Sequence, residues 1–158
     1  MKIDARLNYV ILANKIDKQF LNNFSMYTKI GKDVTYDELV KKLEFFPSKQ
    51  VLFVETFYSL RKQEKLAVLT LLEKQNITYI NITSDIEDAI YADYICVYDG
   101  YDLIVEGLSE NILTDEKTLK RIGYGVPFVV DMSLQLNYYE IMRNVCYSMK
   151  ELVLELWN

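Results

Sequence analysis

The sequence predicts an α/β fold built on a mainly parallel sheet, and three observations support this prediction. Short apolar segments alternate with segments whose apolar residues recur at helical spacing. Two of the apolar segments are continuous runs, which is typical of strands that a parallel sheet buries on both faces. The 158 residues are 51% hydrophobic and include only 5 Gly and 2 Pro, so the chain has enough apolar material for a core.

The first fifty residues predict two strands and a helix. Residues 7–16 (LNYVILANKI) and 25–30 (SMYTKI) have the composition of strands and are joined by a polar segment. These strands belong either to a small antiparallel subdomain or to the central sheet. Residues 35–46 (TYDELVKKLEFF) have apolar residues at helical spacing, with Thr35 as the cap and Glu38 three residues later.

The middle of the chain predicts a strand, a helix and a second strand. Residues 51–55 (VLFVE) form a continuous apolar strand. Residues 61–75 form a helix with a broad apolar stripe beside charged positions, and residues 77–82 (ITYINI) form another buried strand. This order is typical of the right-handed crossover between parallel strands.

Residues 84–108 predict a short helix followed by a hairpin. The helix covers Asp85–Tyr91, and Ser84 precedes it as the expected cap. The segments YICVYD and GYDLIVEG form two short strands around a turn at Asp99 and Gly100. Strands and helices therefore alternate as far as residue 108, which favours an α/β sheet.

The pattern becomes helical after residue 108. SENIL and DEKTLKRI predict short helices, and a longer helix is expected from about residue 135 to the C-terminus. We therefore expect two parts, an α/β core over residues 1–108 and a helical C-terminal extension over residues 109–158 that serves dimerisation or docking.

Composition excludes several kinds of chemistry. The chain has no histidine, which excludes histidine-based acid–base catalysis and histidine-ligated metal sites. Its net charge of -5 argues against nucleic-acid binding by the whole surface and still allows a local basic patch. Cys96 and Cys146 lack metal-site spacing and are expected to be buried. Because they are not expected to form a disulfide, a reducing, cytoplasmic setting is predicted. No signal-peptide pattern and no run of about 20 apolar residues is present, so a soluble chain is expected.

Residues 51–134 resemble the C-terminal half of an ABC-type ATPase domain. The most specific part is ITSDIEDAIYADYICVYDGYDLIVEG (82–107), which is similar to the family's switch-histidine segment, short helix and hairpin. SENILTDEKTLKRIGYGVPFVVDMSLQL (109–136) is similar to the tail of the ATPases of energy-coupling-factor importers. The resemblance implies a reduced P-loop, ABC-like sheet with flanking helices and a helical tail.

A phosphate-binding loop is missing from the sequence. Such a loop needs two glycines flanking four residues, then Lys and Ser or Thr, because its backbone N–H groups must approach phosphate closely. Gly31 and Lys32 form the only Gly-Lys pair, but Met26 stands five residues before Gly31. Asp33 takes the place of the hydroxyl, and an acidic side chain there repels phosphate.

Other catalytic positions of the resembled family also differ. Val54 takes the place of the magnesium-binding Asp, and Glu55 matches the catalytic Glu. Arg61 replaces an Asp of the next loop, and Ser84 replaces the switch histidine. Because phosphoryl transfer depends on positioning and charge stabilisation by such groups, we interpret the protein as an ABC fold that binds no ATP and is not an enzyme.

Three basic clusters are candidate nucleic-acid contacts. They are Arg61, Lys62 and Lys65; Lys41 and Lys42; and Lys117, Lys120 and Arg121. Each cluster is also explained as the solvated face of a helix. An oligomer that brought copies of one cluster together could hold a phosphate backbone despite the acidic total charge.

Glu55 and Asp85 are candidate metal ligands. They follow neighbouring predicted strands, with Glu87 and Asp88 nearby, and hard cations such as calcium prefer several carboxylates. Acidic residues also stabilise the start of a helix, which explains Asp85 equally well.

The segment VLFVETFYSLRKQEKLAVLTLLEKQNIT (51–78) resembles the type II-A CRISPR adaptation accessory proteins. The resemblance implies a non-catalytic homo-oligomer that encloses double-stranded DNA ends, with calcium supporting the assembly, and works alongside the CRISPR integrase complex. Such a protein binds linear duplex in a salt-sensitive way.

Two further interpretations stay open. In the first, the chain is an ATPase-dead relative of an energy-coupling factor transporter ATP-binding subunit and acts as a dimerisation or regulatory module. That interpretation predicts copurification with membrane subunits. In the second, the chain is a nucleotide-free scaffold unrelated to either group.

Overall fold

The computed structural model describes residues 3–4, 6–31, 33–48, 50–54 and 60–157, with the backbone alone for 52–54. The strands are β1 (Tyr9–Ala13), β2 (Thr28–Ile30), β3 (Val51–Val54), β4 (Thr78–Thr83), β5 (Tyr94–Asp99) and β6 (Asp102–Leu108). The α-helices are α1 (Lys18–Asn22), α2 (Tyr36–Glu44), α3 (Lys62–Lys74), α4 (Ser109–Leu113), α5 (Glu116–Ile122), α6 (Phe128–Tyr138) and α7 (Met149–Trp157). A 3-10 helix covers Ile86–Tyr91.

The strands form one six-stranded sheet in the order β2-β3-β4-β1-β5-β6. The first five strands in the chain pair in parallel, and β6 pairs antiparallel with β5. The predicted α/β fold, with a mainly parallel sheet, flanking helices and a helical tail, is therefore confirmed.

The strand β1 lies at the centre of the sheet and is fully buried. Its residue Ile11 is in register with Ile82 of β4 on one side and Cys96 of β5 on the other. Val10 and Leu12 pack in a core with the C-terminal helices, whereas Ile11 packs in a second core with Phe20. Both faces of the sheet are thus covered, which explains why this segment is continuously apolar.

The hydrophobic core around Val10 and Leu12 extends into the C-terminal helices. It includes Leu113 of α4, Leu119 of α5 and Val130 of α6. The predicted division into residues 1–108 and 109–158 stays a prediction, and a shared core joins the two parts in this fold.

The first fifty residues confirm one of the two expected arrangements and differ from expectation in one element. Their strands β1 and β2 belong to the central parallel sheet, which was one of the two alternatives, and not to an antiparallel subdomain. The polar segment between them contains the helix α1, which starts where the Asp17 carboxylate accepts a hydrogen bond of 2.9 Å from Phe20 N–H. Phe20 is fully buried. A single buried residue gives only a weak helical periodicity, so the sequence pattern does not predict this helix.

The long C-terminal helix predicted from residue 135 is wrong. The helix α6 ends at Tyr138, and Glu140 has a left-handed backbone with φ of 58°. That conformation breaks a helix, and α7 begins only at Met149. The cap of the 3-10 helix is Asp85 rather than Ser84, because the Asp85 carboxylate accepts from Glu87 N–H at 2.9 Å.

Candidate functional site

The carboxyl ends of the parallel strands meet at one edge of the sheet, where α/β proteins usually bind ligands. Asn14 follows β1, Ser84 follows β4, and Gly100 follows β5 at this edge. Glu55, the predicted metal ligand after β3, lies outside the described residues. The edge contains two groups of interacting side chains, one beside α3 and the other at the β5–β6 turn.

The first group lines an open pocket of about 260 Å³ between α3 and the 3-10 helix. Its lining residues are Leu60, Lys62, Lys65, Asp85, Glu87, Asp88, Ile90 and Tyr91. The sequence predicts Lys62 and Lys65 as nucleic-acid contacts and Asp85 as a metal ligand. The structure brings these three residues together in one pocket.

A buried ion pair forms the inner wall of this pocket. The ammonium of Lys65 lies 2.7 Å from Oδ1 of Asp88, and the two side chains are 16% and 6% exposed. The Thr83 hydroxyl donates to Oδ2 of Asp88 at 2.9 Å. Both carboxylate oxygens have partners, so the charge is buried with its hydrogen bonds satisfied. The pair fixes α3 to the 3-10 helix.

The other acidic residues of the pocket bind backbone N–H groups. Asp85 caps the 3-10 helix, while Oε1 of Glu87 accepts from Phe128 N–H at 2.7 Å. Phe128 is the first residue of α6, whose leading N–H groups have no partner within the helix. Glu87 therefore joins the 3-10 helix to α6.

The acidic residues described at this edge do not form a cluster of metal ligands. Within the described part of the chain, no three His, Cys, Asp or Glu side chains are grouped so that they could hold a metal ion. Calcium binding through Glu55 and Asp85 stays a prediction, as does the absence of ATP.

The second group ties the segment after β1 to the β5–β6 turn. Asn14 Nδ2 donates to Oδ1 of Asp99 at 2.7 Å, and Gly100 N–H donates to Oδ1 of Asn14 at 2.8 Å. The Tyr101 hydroxyl donates to Oδ2 of Asp17 at 2.6 Å. This hydrogen bond is the main reason that the pKa of Asp17 is lowered from its usual value.

A lysine completes this second group. Lys15 Nζ lies 4.2 Å from the centre of the Tyr101 ring and 3.8 Å from Oδ2 of Asp17. Cation–π contact and charge attraction both favour this position. The side chains of the loop between β1 and α1 thus hold this loop against the β5–β6 turn.

Sequence reasoning did not identify this second group. It sought a phosphate-binding loop at Gly31, whereas the segment that follows the central strand is Asn14–Asp17. Two sequence signals indicate this second group, namely the polar residues directly after an apolar strand and the hairpin turn at Asp99. Only the strand order brings these two signals together, because they lie 85 residues apart.

The predicted basic clusters lie on three helices. Lys41 and Lys42 are exposed in the last turn of α2, and Lys62 is exposed in the first turn of α3. Arg61 precedes that turn, where its N–H donates to Glu64 at 2.8 Å. Lys65 differs from them because its ammonium is committed to Asp88.

The third basic cluster lies on α5. Lys117 and Arg121 are exposed, and Lys120 forms an ion pair with Glu116 one turn earlier. Nucleic-acid binding by any of the three clusters stays a prediction.

The C-terminal helix α7 leaves most of its apolar side chains exposed. Only Leu152 is buried in it, whereas Val153 is 49% and Trp157 82% exposed. Met149, Val153, Leu156 and Trp157 recur every three or four residues and share one side of the helix. We refer to these four residues as the α7 stripe. A stripe of this kind is typical of a contact surface.

Across the described ranges, no helix combines the length and the apolar character that crossing a membrane requires.

Sequence comparisons show relatives among transporter proteins. No protein-family model matches the chain. It is 36% identical over 98 residues to the energy-coupling factor transporter ATP-binding protein EcfA1 of Geobacillus kaustophilus, a match covering 61% of this chain and 35% of that protein. It is 31% identical over 96 residues to EcfA1 of Mycoplasmoides gallisepticum, covering 54% and 34%. The matched part thus amounts to about a third of the length of these relatives.

Structural comparison gives a weaker likeness. The structure of cbiO1 from Clostridium perfringens, part of the ABC transporter complex cbiONQ, aligns with a TM-score of 0.38 and 16% identity, covering 73% of this chain and 62% of that chain. These values are too low to carry an argument, so the assignment rests on the sequence matches.

The matches correct the prediction that the protein is not an enzyme. The relatives are ABC ATPases, which are enzymes. The prediction depended on motifs missing from these 158 residues, whereas the matched segment of 96 to 98 residues covers only about a third of the relatives' length. The CRISPR prediction gains no support from these transporter relatives and stays a prediction. Over 96 to 98 residues the chain is therefore similar in sequence to the ATP-binding proteins of energy-coupling factor transporters.

Proposed function

We propose that the chain works on the ATP-binding side of an energy-coupling factor transporter, where its C-terminal helices attach it to another subunit of the complex. The observation that carries this proposal is the 36% identity over 98 residues to a transporter ATP-binding protein. Chance similarity rarely reaches that level over such a length. Neither a CRISPR accessory role nor an unrelated scaffold has comparable support.

The α7 stripe supports the attachment. Burying exposed apolar surface contributes roughly 25 cal/mol per Å², and the large rings at interfaces contribute most. Trp157, the one aromatic residue of this stripe and its most exposed member, is well placed for such a contact. An apolar helix face of this kind fits a groove on a partner.

The 3-10 helix supports a coupling role for the same surface. Its Asp88 binds Lys65 of α3, and its Glu87 binds the first N–H of α6. A movement at the carboxyl edge of the sheet would therefore be passed to α6, which packs against α7. The attachment surface is thus mechanically joined to the edge at which α/β proteins bind ligands.

Copurification tests the proposal. The tagged chain is expressed together with the membrane and ATP-binding subunits of the energy-coupling factor transporter from the same genome, and the complex is extracted in detergent. We expect transporter subunits to elute with the chain, and Val153→Asp to abolish this. Lys117→Asp, an exposed change on α5 rather than on α7, is the control. The proposal fails if an EcfA1 protein captures the subunits and this chain does not.

A further inference from the structure

The strand β6 forms an open edge of the sheet. It pairs with β5 on one side, and none of the other described strands pairs with it. The opposite edge strand, β2, has only three residues and includes Lys29. Short length and lysine are common protections of an edge strand. β6 has seven residues and contains no Lys, Arg or Pro.

The hydrogen-bond register shows which backbone groups of β6 face outward. Ser109 N–H donates to Asp93 O at 3.0 Å, which fixes the alternation along the ladder. Val105 and Gly107 therefore exchange bonds with β5, while the N–H and C=O groups of Glu106 and the N–H of Leu108 point away from it. The C=O of Leu108 belongs to α4, because Leu108 is the N-cap of that helix and an N-cap carbonyl accepts the first helical bond. These outward groups can bind one further strand.

Exposed apolar side chains border this edge. Leu103 and Ile104 are each 40% exposed, and Leu108 is 45% exposed. A strand added along β6 would cover part of these side chains while its backbone bonds to the outward groups. Apolar contact and backbone pairing would therefore act together.

The surroundings of β6 are strongly acidic. Residues 75–116 contain no Lys or Arg and ten acidic residues, which are Asp85, Glu87, Asp88, Asp93, Asp99, Asp102, Glu106, Glu110, Asp115 and Glu116. Four of these lie on β6 or within three residues of it in the hairpin and α4. At the turn, Lys15 lies over Tyr101 but is balanced by Asp17. The edge thus presents a negative field.

The negative charge around β6 indicates which kind of strand can pair with it. A second copy of the chain pairing through its own β6 would place two Asp102 and two Glu106 side chains at one junction. Like charges facing each other across strands destabilise the pairing. A strand with positive side chains would instead gain electrostatic attraction.

We propose that β6 is a docking edge for an extended segment of a partner protein in which apolar residues alternate with Lys or Arg. The segment adds a seventh strand, its backbone pairs with Glu106 and Leu108, and its cations lie beside Asp102 and Glu106. This inference does not depend on the transporter assignment.

Amide hydrogen exchange with a defined peptide tests the proposal on the whole chain. The probe is the acetylated, amidated peptide Thr-Lys-Val-Arg-Val-Lys-Ile-Thr, added at low salt. We expect the amides of Glu106 and Leu108 to exchange quickly in the free protein and at least about tenfold more slowly with saturating peptide. The amide of Gly107, already bonded to β5, is the internal control and should not change.

Two comparisons separate strand pairing from general charge attraction. Methylation of alternate backbone nitrogens of the peptide keeps its charge and should abolish the protection. Glu106→Gln should weaken the peptide about threefold to tenfold, as expected when one charge contact is lost. The proposal is overturned if the methylated peptide, or a peptide with Glu in place of Lys and Arg, protects the amides of Glu106 and Leu108 as strongly as the original peptide does. Absence of protection by the original peptide would overturn it as well. It is also overturned if protection of Glu106 in the free protein rises with protein concentration, because a second copy then occupies the edge.

Discussion

The ammonium of Lys65 and the carboxylate of Asp88 form a contact of 2.7 Å between α3 and the 3-10 helix, with both side chains largely buried. These residues are 23 positions apart in the chain. The contact therefore holds together two elements that no local sequence pattern connects, and the next two predictions depend on it.

Lys65→Met should destabilise the protein by about 3 kcal/mol, because removing one partner leaves a buried charge without compensation. Urea unfolding followed by circular dichroism measures this loss. Lys62→Met, at an exposed position of the same helix, should change stability by less than about 0.5 kcal/mol.

The double variant Lys65→Met with Asp88→Leu should recover most of the loss, because a buried ion pair can be replaced by apolar groups at little cost. A double variant less stable than Lys65→Met alone would show that the pair is not the origin of the effect.

Glu87→Ala should loosen the start of α6. The Phe128 N–H then loses its acceptor at 2.7 Å, and hydrogen bonds to charged groups contribute about 1.5–3 kcal/mol. We expect faster hydrogen exchange at Phe128, measured by nuclear magnetic resonance. Glu87→Gln keeps an acceptor oxygen and should show a smaller change; equal exchange in both variants and the wild type would contradict this assignment.

The capping box of α2 should make stability depend on acidity. Backbone and hydroxyl bonds from Thr35 lower the pKa of Glu38 below its usual 4.5. A carboxyl group with a lowered pKa stabilises the fold above its unfolded pKa, and this contribution disappears as the pH falls through its folded pKa. Glu38→Gln should therefore show a smaller decrease in stability between pH 6 and pH 3 than the wild type. Identical pH profiles of the two proteins would contradict the role of Glu38.

Cys96 should resist thiol reagents. Burial, assisted by the nearby Glu106 carboxylate, raises the pKa of this thiol from 9.0 to about 12. Because the neutral thiol is favoured in the fold, stability should decrease from about pH 9 towards pH 12 as the unfolded thiol ionises. Comparing Cys96→Ala with the wild type over this range isolates the effect, and rapid labelling of native protein at pH 8 would contradict it.

Much of the fold can be predicted from sequence where periodicity is strong. The helix expected at residues 61–75 is observed at Lys62–Lys74, and the buried strand expected at residues 77–82 is observed at Thr78–Thr83. The capping box at Thr35 and Glu38 is also present. These features depend on residues that are close together in the chain, so the local sequence pattern is sufficient to predict them.

The remainder depends on contacts between distant residues. The central place of β1 follows from pairing with β4 and β5, about 70 to 85 residues later. The ion pair of Lys65 and the link between Asn14 and Asp99 arise only when this sheet assembles. The prediction that the protein is not an enzyme was wrong because missing motifs in one segment do not describe the relatives' whole length.

Photo-crosslinking from the α7 stripe tests the central claim most directly. A photoreactive amino acid is placed at Val153, and at the exposed Lys117 of α5 as the control, in cells that contain the energy-coupling factor transporter. Irradiation followed by mass spectrometry identifies the partner. Association with the transporter predicts adducts with its subunits from position 153 and few from position 117. Adducts confined to unrelated proteins, or none while EcfA1 in the same cells crosslinks normally, would contradict the account.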